Sequence, residues 1–398
     1  MIMTTDNSAP ETPRSPAAAN TLAARRRPAE ATGRSRASRL PSLTGMRFLA
    51  ALLVFFYHSS LPRPAVQLMG DHAAWKVYYL ASSQAGALGV TFFFVLSGFV
   101  LTWSARGTDT APAFWRRRYV KIVPNYVLTW ALSMVLFAAA VTPTWMAVTN
   151  LFMLQSWIPD IHLSFSVDTP SWSLGVEALF YALFPLLLLG VRRIRAERLK
   201  YWFAGTFAGI VATAALSYAL LPASPALSLP YLKGSISTYQ YWFAYVFPVP
   251  RVLDFALGIL LARLVMAGRW RDIGVGRSVL LLAVGYAVAL EVPYLYGQIV
   301  VCVLPAAVVI AAGAMADASG SSTVFNHRTM IWLGEISFAF YLVHWIVLAT
   351  SRKALGTALF STPVSIALTL GQIAVAVLLS WAVYVWFERP IVRRWSTG

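Results

Sequence analysis

Cysteine is almost absent from this chain. The single Cys302 lies in the apolar stretch Val300 to Ala312, which excludes a disulfide framework and a cysteine-based metal site, and no metal site is expected. Charge is scarce too. Only 12% of the 398 residues are Asp, Glu, Lys or Arg, while 58% are hydrophobic and the mean hydropathy is +0.64, which excludes a soluble globular chain. Acidic residues are the scarcer half of that charge, 15 against 32 Lys and Arg, leaving a formal net charge of +17. Such a surplus suits nucleic acid or a membrane surface according to where it sits. Here it sits between apolar runs, which points to membrane topology and away from nucleic acid. Internal repeats are also missing, and the two halves share no inverted similarity, which weighs against a transporter built from duplicated halves.

Residues 1–40 are rich in Ala, Pro, Ser and Arg, include the run Arg25, Arg26, Arg27, and offer no apolar face to bury, so they read as a disordered basic tail. The first apolar stretch, Phe48 to Leu61, has no small-residue cleavage site after it and is expected to be retained. A helix needs about 20 mostly apolar residues to cross a bilayer. Runs near that length fall at 44–61, 86–105, 122–141, 174–191, 202–221, 248–266, 278–295, 298–315, 331–350 and 364–386. They predict an all-α, polytopic integral membrane protein with about ten transmembrane helices. With the N-terminus inside, twenty-four Lys and Arg fall in the inner segments and five in the outer ones. That bias predicts cytosolic termini. The longest outer connection, 142–173, lacks Lys and Arg but holds Trp145, Trp157, Asp160, His162 and Asp168; it either re-enters the membrane or lies along its surface.

Ionisable groups inside such spans are costly, so each is either part of a site or half of a helix-to-helix pair. Six stand out: Arg47, His58, Glu177, Arg251, Asp254 and His344. Arg47 and His58 are eleven positions apart on one helix, roughly 16 Å at about 1.5 Å per residue. A pantetheine arm has a similar reach, so a cofactor with phosphates at Arg47 would present its thioester near His58. The plainer reading is a buried histidine bonded to a neighbouring helix. Counted from the outer edges of their spans, Glu177 matches His58 in depth and is expected to orient it and stabilise its protonated form, as a general base requires. The plainer reading pairs Glu177 with Arg251, although Arg251 and Asp254, three apart, can also satisfy each other.

Phe114 to Pro124 sets Arg116, Arg117, Arg118 and Lys121 beside a span. Retention of positive charge on the inner side explains any such cluster, but Arg118 and Lys121 share a helical face suited to polyphosphate. The pair Ser97-Gly98 in an aromatic helix marks a close crossing or a slot for a chain. Ser337, Tyr341 and His344 fall on one face at i, i+4, i+7, and such a stripe faces the bundle interior, where it either lines an acceptor pocket or joins helices.

Taken in order, these motifs resemble the membrane acyltransferase-3 family. The likeness is carried by Leu43-Thr-Gly-Met-Arg47-Phe with His58 eleven later, Gly89 to Phe99, Arg118 to Pro124, Trp172-Ser-Leu-Gly-Val-Glu177 to Tyr181, Arg251 to Arg263, Ser337 to Trp345 and Phe387-Glu-Arg-Pro390. It covers residues 41–394 as one transmembrane domain. The resemblance implies transfer of an acyl group from acyl-CoA, a co-substrate rather than a tightly bound cofactor, to a hydroxyl of a glycosylated compound at a bacterial cytoplasmic membrane. It implies essential roles for Arg47 and His58. Arg118 and Lys121 match a family arginine pair, with lysine in the second place, and Glu177-Ala178 stands where the family often has two acids. On this reading His58 and Glu177 are catalytic; Arg47, Arg118 and Lys121 bind the cofactor; and Ser97, Trp172, Ser173, Tyr341 and His344 meet the substrate. The opening Leu-Pro-Ser-Leu-Thr-Gly-Met-Arg47 is similar to the actinomycete branch that acylates macrolide antibiotics or their sugars, with cell-surface polysaccharide as the other acceptor class. His58 either deprotonates the acceptor for direct attack or takes the acyl group itself. A secondary transporter or flippase, using the same buried charges as a pathway, is the rival from a different class.

Overall fold

The computed structural model describes residues 40–106, 109–231 and 234–395; the tail expected at residues 1–40 lies, but for Leu40, outside them. Every expected span contains a helix, and no strand is present among the described residues. The ten are α1 (Pro41–Ser60), α2 (Ala85–Ser104), α3 (Ala111–Ser133), α4 (Trp172–Arg192), α5 (Leu199–Leu220), α6 (Pro248–Met266), α7 (Val275–Ala289), α8 (Val303–Ser319), α9 (Arg328–Leu355) and α10 (Thr362–Val383). Eight helical stretches are long and apolar enough to cross a membrane. The other two are α6, which carries Arg251, Asp254 and Arg263, and α7, at 15 residues. The protein is therefore polytopic and all-α.

Local chemistry sets the helix ends. Proline opens α1, α3, α6 and α10, where its fixed φ suits the first turn and its missing N–H costs nothing. Thr110 caps α3 through Ala113 N–H, and Gly320, at φ +74°, closes α8 in the left-handed conformation that glycine alone adopts freely.

At the centre α2 crosses α6. A Cβ on Gly98 would run into the Phe255 carbonyl, and one on Gly258 into the Val95 carbonyl, so only two glycines permit this approach. The close-crossing reading of Gly98 is thus the one the fold adopts. α1 packs between α2 and α9, while α5 and α10 stand at the periphery with exposed leucines such as Leu216, Leu220, Leu370 and Leu378.

The two ends of the bundle differ in charge. At the basic end, Ser42 of α1 meets Asp317 of α8 through N–H and hydroxyl contacts of 2.9 and 2.6 Å, and Arg116 of α3 donates to the Trp395 carbonyl at 3.1 Å. At the other end, Arg352 donates to the carbonyls of Gln67 and Ala358, and Trp75, on a short helix His72–Ser82, donates to Ser60 O. The connection 142–171 folds into this end rather than skimming the surface. Asn150, Gln155, Ser156, Ser164 and Asp168 are buried, and Tyr126 of α3 donates to the Asn150 carbonyl, while Trp145 and Trp157 stay exposed.

Candidate active site

Two cavities meet inside the bundle. The first, of about 150 Å³ and nearer the basic end, is lined by Arg47 from α1, Ser97 from α2, Arg118 and Lys121 from α3, and Glu177 and Tyr181 from α4. Three cations face one carboxylate there. Tyr181, one turn after Glu177, donates to its Oε2 at 3.2 Å and accepts from Ser97 at 3.4 Å. The second cavity, of about 260 Å³, is lined by His58, Trp172, Tyr241, Tyr245, Tyr341 and Trp345. Val90 and Tyr341 belong to both walls. Tyr341 is held there by the Pro170 carbonyl at 3.1 Å and the Ser173 hydroxyl at 2.8 Å.

His58 is 6% exposed and its Nδ1 lies 2.8 Å from Nε2 of the fully buried His344. The protonation pattern of the neutral pair follows from the next contact. His344 Nδ1 is 3.1 Å from the Phe340 carbonyl, which only accepts, so His344 donates there and its Nε2 must accept. His58 therefore donates from Nδ1 and keeps a lone pair on Nε2. Trp345 meets the His58 ring edge-on, with centroids 5.3 Å apart. An imidazole fixed in one tautomer with a free ring nitrogen at a cavity wall has the geometry of a general base.

Two sequence expectations change here. Glu177 does not orient His58: its contacts are Tyr181 and the Arg47, Lys121 and Arg118 charges. Because 142–171 folds inward, α4 starts level with the histidine cavity, and Glu177, five residues on, sits about 7.5 Å closer to the basic end. His344 does not line the cavity for substrate but stands behind His58 as its partner. Of the remaining substrate residues, Ser97 and Ser173 line the cation cavity, Trp172 the histidine cavity and Tyr341 both. Ser337 bonds back to the Gly334 carbonyl of its own helix. Arg251 pairs with Asp254 at 3.2 Å, donates to Thr91 at 3.0 Å and lies over the Phe94 and Tyr245 rings, so it braces α6 against α2 and is not bridged to Glu177.

Some contributors escaped the sequence reading. Tyr181 had a visible signal, since it stands four residues after Glu177 on one helix face. Glu388, which accepts from Asn125 at 2.7 Å and is in electrostatic reach of Lys121 and Arg47, stood in the Phe387-Glu-Arg-Pro390 motif, but its place at the cations was hidden because its partners lie more than 260 positions away. Tyr241 and Tyr245 likewise reach the second cavity from a segment that carried no motif. No group of three or more His, Cys, Asp or Glu suited to a metal is found among the described residues.

A polytopic bundle with a buried histidine pair beside a cation-lined cavity suits group transfer within a membrane. Comparison with known proteins supplies the family. The acyltransferase domain model of the acyltransferase-3 family matches residues 40–385, and the chain belongs to that family. It is 37% identical over 370 residues to acyltransferase MdmB of Streptomyces mycarofaciens, covering 90% of this chain and 93% of that one. It is 25% identical to the putative peptidoglycan O-acetyltransferase YrhL of Bacillus subtilis, covering 88% of this chain but 55% of the relative, and 25% identical to the exopolysaccharide production protein ExoZ of Rhizobium meliloti, covering 78% and 90%. No solved structure matches. The protein is a membrane O-acyltransferase, which sets aside the transporter reading.

Proposed function

We propose that this enzyme moves a short acyl group from acyl-CoA to a hydroxyl of a glycosylated small molecule, a macrolide antibiotic or its sugar, at the bacterial cytoplasmic membrane. The observation that carries the mechanism is the His58–His344 pair, whose free Nε2 faces a cavity adjoining one lined by Arg47, Arg118 and Lys121. The three cations take the donor's phosphates, with arginine forks suited to them. Glu177, held by Tyr181, offsets the repulsion among the cations when no phosphate is bound. The pantetheine arm then passes Tyr341 and Val90 to set the thioester near His58.

The acceptor hydroxyl attacks the thioester carbonyl as His58 Nε2 takes its proton. The imidazolium formed is held through Nδ1–H by His344 Nε2. The tetrahedral intermediate collapses by breaking the carbon–sulfur bond, and the proton passes from Nε2 to the departing thiolate, giving ester and free CoA. The match to the Streptomyces acyltransferase, over 90% of this chain and 93% of that one, supports an acyltransferase of that kind. The acyltransferases and related proteins it resembles come from bacteria, and the basic inner segments favour cytosolic termini, hence a cytosolic donor.

The test is mass spectrometry of hydroxylated metabolites from a host making glycosylated macrolides, with protein levels matched. Wild type is expected to yield a new ester, and His58→Ala to lower its rate about 10²–10⁴-fold. His344→Phe removes the acceptor for His58 Nδ1–H and is expected to lose most of the rate, with His344→Gln, which still accepts, recovering part. An ester formed equally well by His58→Ala would sink the mechanism. Acyl label trapped on His58 without acceptor would replace direct transfer by an acyl-histidine step.

A further inference from the structure

A second cleft of about 470 Å³ opens at the basic end, beside the cation cavity. It lies between the end of α2, the start of α3 and the end of α4. Its size falls in the range of small-molecule sites, roughly 300–1,000 Å³. Leu101 and Arg118 line both spaces, so the two lie side by side with the Arg118 side chain in both walls. Arg106, Arg117 and Arg192 add three further guanidinium groups to its wall, against Asp109 as its one acid. Asp109 is engaged with Arg117 at 2.9 Å, and no ion pair is formed by Arg192 among the described residues. Arg118 sits over the Phe114 ring at 5.7 Å with a buried Nε that has no partner. Thr110 and Ala111, at the N-terminus of the 23-residue α3, also line the cleft, adding the positive end of a helix. Phe184, Pro185 and Leu188 supply an apolar wall on the other side.

Retention of positive charge on the inner side accounts for arginines near a membrane but not for a concave, half-apolar cleft that shares Arg118 with the cation cavity. We propose that this cleft holds the adenosine 3′-phosphate end of the donor. The inference rests on the reading of the donor as acyl-CoA. Arg118, common to both spaces, takes the diphosphate; Arg117 and Arg192, which line the outer cleft alone, take the 3′-phosphate; and the adenine packs against Phe114 and Phe184. Binding exchanges Asp109 for phosphate on Arg117.

The experiment compares CoA with 3′-dephospho-CoA binding to the purified full chain by calorimetry. Wild type is expected to bind CoA at least about tenfold more tightly, the loss a missing charge-assisted contact brings. Arg192→Ala is expected to lower CoA affinity several-fold toward that of 3′-dephospho-CoA while leaving the latter unchanged, which also shows that the variant is folded, and Arg192→Lys to keep more of the preference. Arg47→Ala, by contrast, weakens both ligands equally. Equal binding of the two ligands by wild type, or equal weakening of both by Arg192→Ala, would overturn the assignment while leaving CoA as the donor. Binding of neither ligand would remove the donor reading and this subsite with it. Phosphatidylglycerol micelles that displace CoA from wild type but not from Arg192→Ala would give the cleft to a lipid phosphate instead.

Discussion

Asp168 is 1% exposed, and neither of its carboxylate oxygens has a hydrogen-bond partner in good geometry. Burial pushes this carboxyl well above the usual carboxylate range, with the Thr129 hydroxyl alone opposing the shift. An acid whose folded pKa is raised binds its proton more tightly in the fold, so its contribution to stability is full below the unfolded value of about 3.9 and is lost as pH rises through the folded one. Asp168→Asn keeps the shape without that proton. It is expected to raise the melting temperature by roughly 2–4 °C at pH 8 and to leave it unchanged below about pH 4, as read by nanoscale fluorimetry in detergent. A stabilisation of equal size at both pH values would mean that the carboxyl's ionisation is not its cause. Asp168 illustrates what single residues disclose in advance. Its presence in a connection without Lys or Arg was visible, as were Arg47 and His58 as costly groups in an apolar run and Arg118 and Lys121 as a basic pair beside one. Partnership was not. His58 was matched to Glu177 by counting residues from presumed membrane edges, and that count failed because the chain before α4 dips inward. Pairing depends on depth, and depth is set by tertiary packing.

Among the elements, the α2–α6 crossing has the least tolerance. Gly98→Ala would press a methyl group against the Phe255 carbonyl, with no flexible side chain able to yield, and is expected to destabilise the protein by about 1–3 kcal/mol; Gly98→Leu should leave little folded protein in fluorescence-detected size exclusion. Gly371 in α10 is the control, since nothing lies within 4 Å of a Cβ there and alanine should be neutral or favourable by up to about 1 kcal/mol. A Gly98→Ala protein as stable as the Gly371→Ala protein would show that the two helices are free to part. The helices themselves were legible because length and hydropathy alone select a spanning segment, and each of the ten runs proved helical. The short helix His72–Ser82 and the broken helical pieces between 144 and 171 were not, because at 11 residues or fewer they leave no pattern that differs from a loop.

For the whole molecule, the separation of charge between the two ends predicts which end faces the cytosol. The chain lends itself to the test because its one cysteine, Cys302, is buried. In a Cys302→Ala background, Ser361→Cys at the less basic end is expected to react with a membrane-impermeant maleimide in intact cells. Ser321→Cys at the basic end should react only after the membrane is opened. The reverse pattern would place the cation cavity outside, away from the cytosolic donor proposed above.

His58 and His344 are 286 positions apart in the chain. A ribosome adding roughly 5–20 residues per second needs about 15–60 s to deliver the second after the first. Throughout that interval α1 has a histidine without its mate, and the pair cannot form until the ninth helix is inserted. Glu388 arrives later still, so the cation cavity acquires its last counter-charge near the close of translation. On the proposed mechanism a half-made chain lacks the pair that activates the acceptor, so the order of biosynthesis itself keeps such a catalyst silent until the bundle is whole.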